Sequence, residues 1–215
     1  MMPMFPGPVV DVVVPKTDQK LFLDRSGQIE GSYLFYPAQF WQHKNHINLL
    51  KALKILKEKF DLIVPLVLVG SDKGNLNEVI ANISLLGLSS QVHYMGFVSL
   101  SEQRTLYENA LALVMPTFLG PTNMPPLEAI TIGCPVICSD LPGHREQLKD
   151  AALYFDPYSS EDLAEKIKSF VQNKELQKIL LQNAVSLKLK RSFSVHNAVL
   201  TLLHAFDSFA SSAKT

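Results

Sequence analysis

The chain has 215 residues, 47% of them apolar and 19% charged, and its 20 basic and 20 acidic side chains give zero formal charge. That length supports one packed domain or a domain with a tail, and the charge balance argues against a nucleic-acid footprint or a long-range pull on anionic partners. Two cysteines, Cys134 and Cys138, are too few for a disulfide scaffold. No apolar run approaches the roughly 18–20 residues of a transmembrane span, and Met-Met-Pro-Met-Phe-Pro has neither the basic flank nor the apolar stretch of a signal peptide. The expectation is a cytoplasmic protein without a transmembrane segment.

Residues 1–32 hold four of the thirteen prolines and read as an entry segment or linker with one strand, the β-like run Val9–Val14 closed by Pro15. From Tyr33 the pattern turns rhythmic. Short apolar runs at Tyr33–Tyr36, Pro65–Val69, Val92–Met95, Leu111–Met115, Pro135–Cys138 and Ala152–Phe155 suit strands buried on both faces. Amphipathic stretches separate them. Asn45–Phe60 carries Leu49, Leu53, Leu56 and Phe60 at helical spacing, and Leu76–Leu86 stops at Gly87. Ser99 and Glu102 resemble a capping box opening a helix through Asn109. Helices follow at about Ser160–Gln172, Lys174–Arg191 and Val195–Phe209. The alternation predicts an α/β fold: a doubly wound, mostly parallel six-stranded Rossmann-like sheet with helices on both faces and a C-terminal helical tail. The domain spans residues 33–190, and residues 191–215 form the last helix and tail.

Ligands of such sheets bind beyond the carboxyl ends of the strands, so the loops there carry the chemistry. In the loop from Pro116 to Glu128, Thr122 and Asn123 are good N-cap residues, and Pro125 and Pro126 suit a first helical turn. Free amides and the helix dipole make this an anion site suited to a diphosphate. Glu128 can accept two hydrogen bonds from a ribose diol; the competing reading is that it only complements the helix dipole. Lys44, in the loop after Tyr36, can aim an ammonium at the same crevice or lie solvated on the surface. His43 and His46 have no third partner for a metal site. Gly70-Ser71-Asp72-Lys73-Gly74 lacks dinucleotide and P-loop spacing and reads first as a generic turn, though its glycine permits close backbone approach. Gly96-Phe97-Val98 can present backbone groups to a base. Cys134 and Cys138 read as small core hydrophobes.

Taken together, these loops resemble the C-terminal domain of the group 1, GT-B-fold, retaining glycosyltransferases. The resemblance runs from about Val9 to Phe209 and is carried above all by Met124-Pro-Pro-Leu-Glu-Ala-Ile-Thr-Ile-Gly-Cys-Pro-Val-Ile137, with Asp140–Glu146 and Ala151–Pro157 continuing it. It implies a donor-binding domain in which Lys44 contacts the diphosphate, the amides of Thr122, Asn123 and Met124 cradle the phosphates, Glu128 holds the ribose, and backbone near Phe97 and Val98 meets the base. Gln39, Gly70, Ser71, Gly120 and Leu127 complete the implied donor contacts. The substrate would be a UDP-sugar or GDP-sugar, with no metal and no other cofactor.

Two positions depart from the family pattern. Gly120 stands where the first acid of E-x7-E contacts the donor sugar, and Gln39 stands for the arginine that precedes the phosphate-binding lysine. The resemblance also implies an acceptor-binding N-terminal domain or separate subunit, through which a glycan or lipid-linked acceptor and the inner membrane face would be met. The expected activity is transfer of a hexose such as mannose, with little or none by this domain alone. Two alternatives stay open: a catalytically silent nucleotide-sugar-binding or interaction module, and half of a nucleotide-sugar 2-epimerase.

Overall fold

Among the described residues, four of the six strands are buried along their whole length, the condition of a sheet covered on both faces. The computed structural model describes residues 6–120 and 123–191. In chain order it comprises α1 (Lys16–Ser26), β1 (Leu34–Pro37), α2 (His46–Phe60), β2 (Leu66–Val69), α3 (Leu76–Leu85), β3 (Val92–Tyr94), α4 (Leu100–Asn109), β4 (Ala112–Met115), α5 (Met124–Ile132), β5 (Val136–Ser139), α6 (Pro142–Leu148), β6 (Ala152–Phe155), α7 (Ser160–Gln172) and α8 (Lys174–Arg191). The six predicted strands are all present within a residue or two at each end. The helix expected at Val195–Phe209 lies outside the described residues.

All five strand pairings are parallel, in the order β3-β2-β1-β4-β5-β6. The chain winds outward from β1 to β3, then returns to lay β4 against the other side of β1, with Leu34 opposite Ala112. The direction of winding therefore reverses between β1 and β4, and the loops leaving these two strands part to form the crevice where doubly wound sheets bind ligands. Those are the loops that carry Lys44 and Asn123.

Local chemistry explains most element ends. Ser99 Oγ accepts from the Glu102 N–H while Glu102 Oε2 accepts from the Ser99 N–H, so the predicted capping box opens α4. Helix α2 buries Leu49, Leu53 and Leu56 and packs against α7, which buries Leu163, Ile167 and Phe170. Each such side chain contributes about 1.5–3 kcal/mol.

The entry segment differs from expectation. Val9–Val14 is not a strand: Pro8–Asp11 makes a single 3-10 turn and α1 follows directly after Pro15. β-branched residues favour strands only where a neighbour can pair with them. Here the Arg104 guanidinium takes that place and donates to Val10 O at 2.7 Å, while Val9 is fully buried. Helix α1 is tied down through Gln19, whose amide nitrogen donates to Glu108 and to Val14 O. Helix α6, within a segment singled out only for its likeness to the family, begins at Pro142.

Candidate functional site

The β1–α2 loop is held in one shape by Asn45, which adopts the left-handed conformation (φ 59°, ψ 38°) that asparagine tolerates better than most residues. Its buried amide donates to Pro116 O at 2.8 Å and Pro157 O at 2.9 Å, strapping the loop to the β4–α5 loop and to the turn before α7. Tyr36 Oη donates to Lys44 O, and the Phe118 N–H donates to His43 O. The backbone beneath Lys44 is thus fixed on both sides.

The Lys44 ammonium is half-buried, and among the described residues it forms no ion pair. Its hydrogen bond to Asn123 Oδ1 is long, 3.4 Å. Burial holds its pKa below the ordinary lysine value. Its charge reaches three imidazoles: His43, His46 and His144 are each held below the usual histidine pKa, first by burial and also by Lys44. A cation without a counter-charge in a crevice invites an anion.

Asn123 precedes α5 in N-cap position, yet its side chain makes no capping bond. The cause is local. An N-cap side-chain oxygen normally accepts from the second or third helical N–H, and here those residues are Pro125 and Pro126, which have none. The freed amide turns outward: Oδ1 faces Lys44, while Nδ2 donates to Gly120 O at 3.3 Å and to His144 Nε2 at 2.7 Å. The same prolines thin the expected amide cradle, leaving the Met124 N–H ahead of them. Met124 is exposed, whereas the Leu127 side chain lies in the core and offers a ligand only its main chain. Thr122 lies outside the described residues. At Gly120 the backbone has φ 148°, and a Cβ there would fall inside contact distance of the Asn123 amide. The glycine in place of the family's acid is therefore demanded by this loop conformation.

Glu128 sits deeper than expected, only 6% exposed. Its Oε2 accepts from Tyr107 Oη at 2.7 Å and its Oε1 from the Gly7 N–H at 3.1 Å. Burial raises its pKa against the pull of both bonds. It does more than complement a helix dipole: it ties the entry segment to α4 and α5. Gly7 fits because a Cβ would run into the carboxylate.

Gln39, Gly70, Ser71, Phe97 and Val98 come together, with Pro37, Ala38, Val69 and Gln103, around a pocket of about 200 Å³ beyond the ends of β1 and β2. Gly70 (φ 146°) packs its Cα against the Ala38 carbonyl, where a Cβ would not fit. Phe97, 89% exposed, stands at the rim. Sequence reasoning missed Gln103, Tyr107 and His144; their places in α4 and α6 follow from tertiary packing alone. His46 is buried between Tyr36 and Phe40, stacked 4.4 Å from the latter, and its pKa is pushed down to about 3 by burial and by Lys44. Among the described residues neither of its ring nitrogens has a hydrogen-bond partner, and no group of three His, Cys, Asp or Glu side chains converges as a metal-ligand set.

Residues 24–186, well over half of the chain, match the family described as glycosyl transferases group 1. The chain belongs to that family. As a group 1 glycosyltransferase it is 30% identical over 142 residues to the O-antigen chain mannosyltransferase RfbU of Salmonella typhimurium, covering 66% of this chain and 39% of RfbU. It is 27% identical over 175 residues to O-antigen chain mannosyltransferase B of Escherichia coli, covering 81% of this chain and 45% of that one. The chain thus spans less than half the length of these relatives. Among solved structures it resembles Anabaena HepE in complex with UDP (TM-score 0.79, 19% identity, 91% of this chain and 54% of that one). It also resembles the C-terminal domain of the group 1 protein LpcC from Francisella tularensis (TM-score 0.69, 21% identity, 86% and 97%). At these identities the likeness is one of fold: the Rossmann-like half of a GT-B glycosyltransferase. No helix among the described residues is long and apolar enough to cross a membrane.

Proposed function

We propose that the chain is the nucleotide-sugar-binding half of a retaining glycosyltransferase that transfers a hexose, mannose foremost, to a glycan or glycolipid acceptor. The observation that carries this reading is the Lys44 ammonium at the switch point, without an ion pair among the described residues, on the same loop as Gln39 of a pocket lined also by Gly70, Ser71, Phe97 and Val98. The base enters that pocket and the two phosphates reach Lys44. As the sugar leaves, negative charge grows on the departing diphosphate, and a fixed cation in a water-poor crevice stabilises it. This role needs no divalent metal.

The mannosyltransferase names of the curated relatives and the UDP held by HepE support UDP-sugars and GDP-sugars as the donors to test first. The acceptor is bound by a second domain or subunit, which completes the cleft, excludes water and brings the chain to the cytoplasmic face of a membrane. One observation favours a second reading, a silent nucleotide-sugar-binding module: Glu128 is already engaged by Gly7 and Tyr107, and Gly120 brings no acid to the sugar.

The test is a thermal-shift panel of UDP, GDP, ADP and their sugar conjugates on the wild type and Lys44→Ala. A shift for one nucleoside diphosphate that Lys44→Ala largely abolishes supports binding, and a shift that survives overturns it. Sugar transfer after an acceptor-binding domain is supplied separates the enzyme from the silent module.

A further inference from the structure

His144 is fully buried and touches no ligand-accessible surface, yet its ring makes two hydrogen bonds of 2.7 Å, at the short end for protein nitrogen donors. One partner, the Ser139 carbonyl, can only accept, so Nδ1 carries the proton and donates. Nε2 is then bare and accepts from Asn123 Nδ2. Ser139 ends β5, and its hydroxyl donates to Met115 O at the end of β4, so the imidazole is anchored to two central strands.

This arrangement dictates which way the Asn123 amide points. With Nδ2 committed to His144 and Gly120 O, Oδ1 is left toward Lys44. A flipped amide would set an NH2 against the ammonium and a carbonyl against the imidazole lone pair, two repulsive contacts in place of two attractive ones. The helix cannot impose the orientation itself, because Pro125 and Pro126 give Asn123 nothing to cap. We propose that His144 is a positioning residue for the diphosphate end of the crevice, acting through Asn123 to hold the Lys44 ammonium and the Gly120 carbonyl in their binding arrangement. This rests on the reading of Lys44 given above.

The neutral ring is required. Protonated His144 would present a second donor to Asn123. The charged and titratable groups near it work in both directions: Lys44 from the β1–α2 loop disfavours protonation, Asp140 after β5 favours it, Arg145 on α6 is paired with Asp140, and Tyr154 on β6 donates to His144 O.

Two conservative variants separate the ring's two bonds. His144→Asn keeps a donor near Nδ1 for Ser139 but has nothing at Nε2, whereas His144→Gln places a carbonyl near Nε2 and gives up the Ser139 bond. Affinities of the whole chain for UDP, GDP and the matching monophosphates are measured by calorimetry, with melting temperatures alongside. His144→Asn is expected to lose about tenfold in diphosphate affinity, the upper end of what one neutral hydrogen bond contributes, with the monophosphate constant nearly unchanged. His144→Gln should retain most of the affinity whatever its melting temperature, and Asn123→Ala/His144→Asn should bind no more weakly than Asn123→Ala. Additive losses, losses that follow melting temperature, or a His144→Asn protein that binds like wild type overturn the positioning role. Diphosphate binding that ignores Lys44→Ala sinks the underlying reading instead, and this inference with it.

Discussion

Replacing Lys44 by methionine keeps an unbranched side chain and removes only the charge. In the free protein the ammonium has, among the described residues, no ion pair and one long hydrogen bond of 3.4 Å, so its removal should move the melting temperature by less than about 2 °C. The bound state is different. A nucleoside diphosphate at about a hundred times its dissociation constant adds roughly 2.7 kcal/mol of stability, which for a chain of this size raises the melting temperature by about 5–11 °C. A charge-assisted hydrogen bond contributes about 1.5–3 kcal/mol. Taking about 2 kcal/mol, the dissociation constant rises about thirtyfold, ligand at the same concentration is only about three times the new value, and the added stability falls to about 0.9 kcal/mol, or about 2–4 °C. Differential scanning fluorimetry of the two proteins at one ligand concentration reads this directly. A methionine variant with the full wild-type shift would refute the assignment of the phosphates to Lys44.

His46→Phe should raise the melting temperature at neutral pH, because a ring whose two buried nitrogens have no partner among the described residues is replaced by one that needs none. The variant should also flatten the acid limb of stability: the unfolded imidazole titrates near 6.5 while the folded one stays neutral to about pH 3. The unfolded chain therefore binds more protons between those values, and wild-type stability is lost as pH falls through that window; an unchanged pH profile would contradict this. Asn45→Ala should cost about 2–4 kcal/mol in urea unfolding, and Asn45→Gly less, since glycine keeps the left-handed backbone and loses only the two side-chain bonds. Gly120→Glu, which restores the family's acid, should weaken diphosphate binding severalfold by pushing Asn123 away from Lys44; tighter binding in calorimetry would contradict the loop conformation described.

The sheet was legible because its signal is local. A parallel strand covered on both faces must be apolar throughout, and Leu66–Val69 or Ala112–Met115 says so within four residues. The crevice followed from the alternation of elements, and most residues lining the pocket beyond β1 and β2 lie just past strand ends. What escaped reading depends on distance. Tyr107 with Glu128, and Asn123 with His144, are each 21 residues apart, and Gly7 lies 121 from Glu128; no spacing rule joins such pairs. The Val9–Val14 run misled because its composition reports only that it fits a pleated surface, whereas the partner it found was the side chain of Arg104. The release of Asn123 was readable in principle, since Pro-Pro after an N-cap asparagine removes the donors it would bind.

The two thiols have a practical corollary. Cys134 and Cys138 are 3% and 0% exposed, and burial pushes the Cys134 thiol up to about 12 and the Cys138 thiol higher than usual as well. Neither will form the thiolate that alkylating dyes require. A cysteine substituted for Phe97, at the pocket rim, would be the sole labelling point of the folded chain, and a fluorophore there would report nucleotide arrival in real time without removal of the native sulfurs.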